Sequence, residues 1–211
     1  MNKLIVIPIL IAITIVISVS LTSVYEKPSE SQSVPIYDTG FTYYDIETIQ
    51  TTLAEQDISV STPVAITDHT VGEYCKYFDK GLPRTVEYCT TTVVLDSDEN
   101  TLGNINIGGD VNSPILAIAN LETTTLESNQ AEVFAVFEAM IETLVCDCWE
   151  EEKSDDDIAS ISAWLDLVHK FYYDSEEREI KSQVDDLGSS VITLEITPKE
   201  NSVLQTLIIL K

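Results

Sequence analysis

Basic residues are scarce in this sequence. Lys and Arg together number 11 in 211 residues, against 36 Asp and Glu, which gives a formal net charge of −25 at pH 7. A surface of this sign repels nucleic-acid phosphates and anionic lipid headgroups, so nucleic acid is not expected as a partner. Two interpretations of the acidity remain: solubility in salty or crowded surroundings, where cations screen the repulsion, or capture of cations or of a basic partner.

Several motifs that carry known chemistry are missing as well. Gly103 and Gly108-Gly109-Asp110 lack the Lys and the Ser or Thr that complete a phosphate-binding P-loop. The chain has two histidines, His69 and His169, and neither comes with the Ser or Cys signal of a catalytic triad. No asparagine begins an Asn-x-Ser/Thr glycosylation sequon. We therefore predict no cofactor, and an enzyme is not the favoured class.

Charge is absent from Leu4 to Val24, a run of 21 residues. A helix of about 20 apolar residues spans the hydrocarbon core of a bilayer, and Lys3 before the run favours an N-terminus that stays inside. We therefore predict a transmembrane anchor at residues 1–24, a linker at 25–40 and an acidic extracytoplasmic domain at 41–211. The alternatives are a cleavable signal peptide with a weak site at Ser18-Val19-Ser20, which would give a secreted protein, and a buried core element.

The remaining sequence alternates between helix and strand chemistry. Apolar residues at helical spacing predict helices, with Asp45 and Ser154 as candidate N-caps. Runs rich in Val, Ile, Thr and Tyr predict strands, and the short turns between them favour antiparallel pairing. The expected fold is α+β, an antiparallel sheet with helices packed on one face. The predicted helices are 45–56, 129–149 and 155–177, and the predicted strands are 58–67, 85–95, 115–122, 190–197 and 202–210.

The four cysteines form two pairs in the sequence. Cys75 and Cys89 flank a turn, so a hairpin centred on Leu82 would place their Cβ atoms roughly 4.5–5.5 Å apart. Cys146 and Cys148 fall near the end of a predicted helix, where regular geometry would separate them by about 200° around the axis, so each could instead reach the hairpin pair. An even cysteine count outside the cytoplasm favours structural disulfides, with a four-cysteine zinc site or redox-active thiols as alternatives.

Two acidic clusters supply weak candidates for a metal site. Asp96 and Asp98 begin a series of alternating oxygen ligands, but the positions where an EF-hand needs Gly and Glu are occupied by Thr101 and Ile107. The second cluster lies at the junction of the two long predicted helices. Helix termini and solvation explain most of its acidity, and a divalent cation that bridges several carboxylates is the alternative. Its candidate ligands are Glu150, Asp155 and Asp156.

These features favour a non-enzymatic extracytoplasmic interaction protein, either anchored in the membrane or secreted. Its expected partner is a basic protein or a divalent cation. Two other classes stay open: a metal- or redox-active protein built on the four cysteines, and a hydrolase whose acid and base are carboxylates. A second apolar stripe on the helix predicted at 155–177, formed by Trp164, Leu167 and Phe171, predicts that this helix lies between the sheet and the preceding helix. Contact with a second copy in a homodimer is the alternative.

Intact-mass measurement on the native protein tests the anchor and the cysteine state together. We expect the uncleaved chain of 23.4 kDa, with cysteines that alkylate only after reduction. A mass lower by that of the leading segment would identify a signal peptide instead. Alkylation without prior reduction would contradict structural disulfides.

Overall fold

The computed structural model describes residues 40–66, 69–79, 81–146, 149–152, 158–187 and 189–211. The predicted anchor and nearly all of the predicted linker lie outside these ranges. Within them, no helix combines the length and the apolar character needed to cross a bilayer.

An antiparallel sheet of eight strands forms the centre of the fold, in the order β1-β5-β6-β7-β10-β9-β8, and β2 pairs separately with β5. Two further strands, β3 and β4, form a hairpin of their own. The strand β8 lies at one edge of the large sheet and pairs with β9. The strands are β1 Ser59–Val60, β2 Val64–Ile66, β3 Lys76–Asp79, β4 Leu82–Thr85, β5 Tyr88–Leu95, β6 Thr101–Gly109, β7 Pro114–Thr123, β8 Ile180–Leu187, β9 Ser190–Pro198 and β10 Val203–Leu210.

Five helices accompany the strands in the described ranges. The three longer ones, α1, α3 and α5, contribute apolar side chains to the main core on one face of the sheet. The helix α2 is four residues long and lies on the opposite face. The helices are α1 Asp45–Ala54, α2 Val71–Tyr74, α3 Gln130–Leu144, α4 Trp149–Glu152 and α5 Ile161–Asp174.

Both faces of the central strand β7 are buried. Ala117 and Ala119 belong to the main core, whereas Leu116 and Ile118 belong to a second, smaller apolar cluster. This division follows from strand geometry, because successive side chains point to opposite faces of a sheet. The small alanines leave room for the long helices, and the larger residues fill the space beneath α2 and the β3–β4 hairpin.

A disulfide ties the smaller cluster to the sheet. Cys75 at the end of α2 is bonded to Cys89 in β5, with their Cα atoms 6.1 Å apart. Both cysteines are fully buried. The backbone of Gly108 passes so close that a Cβ there would lie 2.8 Å from the Cys75 sulfur. The disulfide therefore needs a glycine beneath it on β6.

The turn between β5 and β6 is organised by the carboxylate of Asp96. It accepts hydrogen bonds from the backbone N–H groups of Asp98 (3.0 Å) and Asn100 (2.8 Å). The side-chain amide of Asn129, which precedes α3, also donates to it at 3.1 Å. These donors, the Asn100 backbone first, lower the pKa of the Asp96 carboxyl. Asp96 therefore joins the turn to the start of α3.

The structure confirms the predicted α+β class and antiparallel sheet. The first helix and the closing hairpin β9–β10 lie close to their predicted bounds. The sequence reading missed β6 and β8. Gly103, Asn104, Asn106 and Gly108 give β6 little strand propensity, and it is formed because it pairs with β5 and β7 along most of its length.

Two local predictions are wrong. Tyr44 occupies the N-cap position of α1, and Asp45 is the first helical residue, where its carboxylate accepts from the Thr42 backbone N–H at 2.5 Å. The hairpin is centred between Asp79 and Leu82 rather than on Leu82. Cys75 and Cys89 nonetheless meet, because the chain leaves the hairpin after β4 and enters the large sheet as β5.

The third helix also differs from its prediction. It begins at Ile161, where the Ser160 side chain accepts a hydrogen bond from the Ala163 backbone N–H at 3.1 Å. The predicted cap Ser154 lies outside the described residues. Trp164 of the second apolar stripe is buried in the main core, whereas Phe171 is exposed. The stripe is thus divided between the interior and the surface.

The Cys75–Cys89 disulfide should contribute measurably to stability. Because it closes a loop with a sequence separation of 14, we expect its removal in a Cys75→Ala/Cys89→Ala double variant to cost about 3 kcal/mol. Urea unfolding of the full chain in non-ionic detergent, followed by tryptophan fluorescence, measures this loss. An unchanged unfolding midpoint, at the same slope, would contradict a stabilising role.

His169 should make the fold sensitive to mild acid. It is buried between α5 and the sheet, with its Nε2 2.8 Å from Oε1 of Gln205 and its ring against Phe134. Burial lowers its pKa below the ordinary value of 6.5, against opposing contributions from Gln205, Asp166 and Glu127. The unfolded chain therefore binds the proton more readily, and stability is lost as the pH falls below about 6.5.

The two histidines provide a matched pair for this test. We expect His169→Gln to flatten the fall in unfolding free energy between pH 7 and pH 5, where a single proton contributes at most about 1.4 kcal/mol per pH unit. His69→Gln, at an exposed position, should leave the slope as it is in the parent chain. Equal slopes in all three proteins would show that His169 does not control the acid response.

Candidate functional site

An acidic cleft opens where α3, α4 and α5 meet, with a volume of about 340 Å³. Three carboxylate side chains, Glu138, Glu142 and Glu150, line it together with two serine hydroxyls and two apolar side chains. We call this feature the acidic cleft. Its remaining lining residues are Cys146, Trp149, Ser160, Ile161 and Ser162. No Lys or Arg is among the described residues that line it.

Local geometry places each wall of the cleft. Glu138 and Glu142 are four residues apart on α3, a spacing that puts both side chains on one face of the helix. Trp149 on α4 is held by a hydrogen bond from its indole Nε1 to the Ile158 carbonyl oxygen (2.8 Å) and by ring contact with Trp164. Ser160 lines the cleft from the N-cap of α5, so the start of that helix forms the opposite wall.

The surroundings of Glu138 disfavour the ionised form of its carboxyl. Desolvation raises the pKa of the Glu138 carboxyl, and the neighbouring carboxylates of Glu142 and Asp166 raise it further. A hydrogen bond with Ser162 acts in the opposite direction. A cation placed between these carboxylates would relieve the repulsion, because an opposite charge nearby favours the ionised form.

The structure brings one of the predicted metal candidates to this cleft. Glu150 lines it, whereas Asp155 and Asp156 lie outside the described residues. Asp96 and Asp98 are at the β5–β6 turn, where the Asp96 carboxylate accepts the N–H groups already described. Across the part of the chain that the structure describes, no group of three or more His, Cys, Asp or Glu side chains is arranged to hold a metal ion.

The described cysteines are all engaged in disulfides. Cys75 and Cys89 are bonded to each other, and Cys146, which lines the acidic cleft, is disulfide-bonded as well. Cys148 lies outside the described residues. The helix α3 ends at Leu144, so Cys146 is not part of the regular helix in which it was predicted. This state favours a structural role, because a disulfide sulfur is not the thiolate that binds zinc.

Sequence reasoning did not single out Glu138 and Glu142. Their signal was present: two like charges at i and i+4 on a mostly apolar helix oppose helix formation slightly. The walls supplied by α4 and α5 come from later segments of the chain than Glu138. A cleft made by three helices cannot be identified from the periodicity of one.

Comparisons of the chain with models of protein families, with curated proteins and with solved structures find no match. The acidic cleft is therefore the basis for the candidate function.

Proposed function

We propose that this protein is a membrane-anchored or secreted extracytoplasmic interaction module that binds a cationic group of a partner protein in the acidic cleft. The observation that carries the proposal is the convergence of Glu138, Glu142 and Glu150 on one concavity with no basic residue among its described lining. The uncharged run at residues 4–24 supports attachment to the membrane. The acidity of the whole chain supports fast capture of a basic partner, since a field of one sign steers oppositely charged molecules.

The mixed lining favours a lysine or arginine side chain over a metal ion. A long basic side chain has an apolar stem and a charged head, and the cleft offers apolar surface from Trp149 and Ile161 beside its carboxylates. A divalent cation such as Ca²⁺ instead requires six to eight oxygen ligands at 2.3–2.6 Å. The divalent cation is therefore the weaker of the two predicted partners.

Calorimetry with a defined probe tests the cleft. We expect an octa-lysine peptide to bind the full chain in non-ionic detergent at physiological salt, and a Glu138→Gln/Glu142→Gln variant to weaken it about tenfold, which corresponds to about 1.4 kcal/mol. The control is Glu73→Gln/Glu87→Gln, which removes the same charge from two exposed positions elsewhere. Because the pKa of Glu138 is raised, its carboxylate should lose its charge early as the pH is lowered. Binding of the peptide should therefore also weaken as the pH falls.

Two results would contradict binding in the cleft. An equal loss of affinity in both double variants would show that net charge alone attracts the peptide. The absence of binding by the parent chain would remove the cleft as a site for basic groups. Titration of the same proteins with Ca²⁺ alone separates the two predicted partner classes, since binding of the ion that depends on Glu138 and Glu142 would favour the divalent cation.

One observation also favours a second function, the carboxylate hydrolase. Glu138 has a raised pKa and shares the cleft with two other carboxylates, as a general acid and its base partner would. Glu138 and Glu142 lie side by side on one helix, however, whereas such a pair must flank the bond to be cleaved. Glu150 on α4 is thus the more suitable partner for Glu138. Turnover of a glycoside substrate that is abolished by Glu138→Gln would favour this function over binding.

A further inference from the structure

One hairpin of this acidic chain carries more basic than acidic residues. Residues 76–85, which make up β3, β4 and their turn, contain Lys76, Lys80 and Arg84, three of the 11 basic residues, and a single acidic residue, Asp79. Lys80 lies outside the described residues. Lys76 and Arg84 are both exposed. The hairpin therefore has the opposite charge to the domain that carries it.

The same hairpin exposes large apolar side chains. Phe78 is 63% exposed and Leu82 is 58% exposed. The Lys76 ammonium lies 5.4 Å from the centre of the Phe78 ring. Exposed apolar groups flanked by basic ones are typical of surfaces that enter the interfacial region of a bilayer, where the rings contact acyl chains and the cations contact lipid phosphates.

The base of the hairpin is fixed to the domain. Tyr77, between Lys76 and Phe78, packs against the smaller apolar cluster on the second face of the sheet. The Cys75–Cys89 disulfide is adjacent to the first residue of β3. These two contacts hold the exposed side chains on a rigid support, which lowers the entropy lost when they bind.

The hairpin arises at the end of the sheet where the described chain begins. Gly40 contacts Lys211, whose backbone N–H donates to the Ile115 carbonyl oxygen (3.0 Å) at the start of β7. At the same end, Tyr43 donates to the Asp110 carbonyl oxygen at 2.7 Å. Cys89 pairs with Gly108 beside this turn. The linker that precedes Gly40 therefore joins the domain at the end that carries the hairpin.

We propose that the β3–β4 hairpin is a second membrane contact, in which Phe78 and Leu82 enter the interface of the bilayer while Lys76 and Arg84 contact lipid phosphates. The inference rests on the proposed anchoring of the chain through residues 4–24. The hairpin supplies local attraction where the remainder of the domain, with its excess of carboxylates, is repelled by anionic lipid. A bilayer is favoured over an acidic protein because the described chain begins at the end of the sheet that carries the hairpin, and the proposed anchor precedes it in the sequence.

Quenching by brominated lipid tests this contact in the full chain. The protein is reconstituted into vesicles of phosphatidylcholine and phosphatidylglycerol, with and without dibrominated acyl chains. The native Trp149 and Trp164 are buried and supply a constant background. We expect the additional emission of Phe78→Trp to be quenched. Phe171→Trp is the matched control, because Phe171 is 57% exposed on α5, near the opposite end of the sheet.

Flotation of the same vesicles separates the two proposals. A chain that does not float with lipid would overturn the proposed anchor and, with it, the hairpin contact, but not the binding of a cationic group in the acidic cleft. A chain that floats, with no quenching of Phe78→Trp or with equal quenching of Phe171→Trp, would overturn the hairpin contact alone. Quenching of Phe78→Trp that is lost when Leu82→Ser and Lys76→Gln are introduced into the same chain would support the hairpin contact. Failure of octa-lysine to bind would leave the hairpin contact unaffected.

Discussion

The two-sided burial of β7 is the constraint on which the architecture depends. A strand covered on both faces needs apolar residues of suitable size on both sides, and β7 provides Ala117, Ala119 and Leu121 toward the main core and Leu116 and Ile118 toward the smaller cluster. The side chains of the neighbouring strands must then fit around those of β7. Gly108 on β6 leaves space for the sulfur of Cys75, so this small residue permits the disulfide between Cys75 and Cys89. The position of the hairpin is a consequence of the same packing.

Charge is distributed around this core in a way that composition alone could not reveal. The net charge of −25 suggests a uniformly acidic surface, but the structure separates the acidic cleft from the hairpin that carries Lys76 and Arg84. In the acidic cleft, burial and like charges act together on Glu138. In the hairpin, Lys76 is placed over an aromatic ring. These two regions differ in chemistry, because carboxylates line the cleft, whereas the hairpin exposes basic side chains beside Phe78 and Leu82.

Much of the fold could be predicted from local pattern, and the remainder depended on distant neighbours. The apolar spacing of Ile46, Ile49 and Leu53 was sufficient to identify α1, and β-branched residues on either side of a turn identified β9 and β10. The strand β6 was missed because glycine and asparagine do not favour extended structure, and its partners stabilise it instead. The proximity of Cys75 and Cys89 was predicted, but from the wrong register. The acidic cleft was beyond prediction because three helices meet there.

The edge strand β8 has consequences for the behaviour of the protein at high concentration. An edge strand offers its backbone hydrogen-bonding groups to any extended chain that approaches, and this is a common route to aggregation. Here Lys181, Gln183 and Asp185 alternate along the strand, and Lys181 forms an ion pair with Glu195 at 2.8 Å. The pairing with β9 also shifts register after Val184. Charge and irregularity thus make β8 a poor template, which would keep densely crowded copies from joining edge to edge.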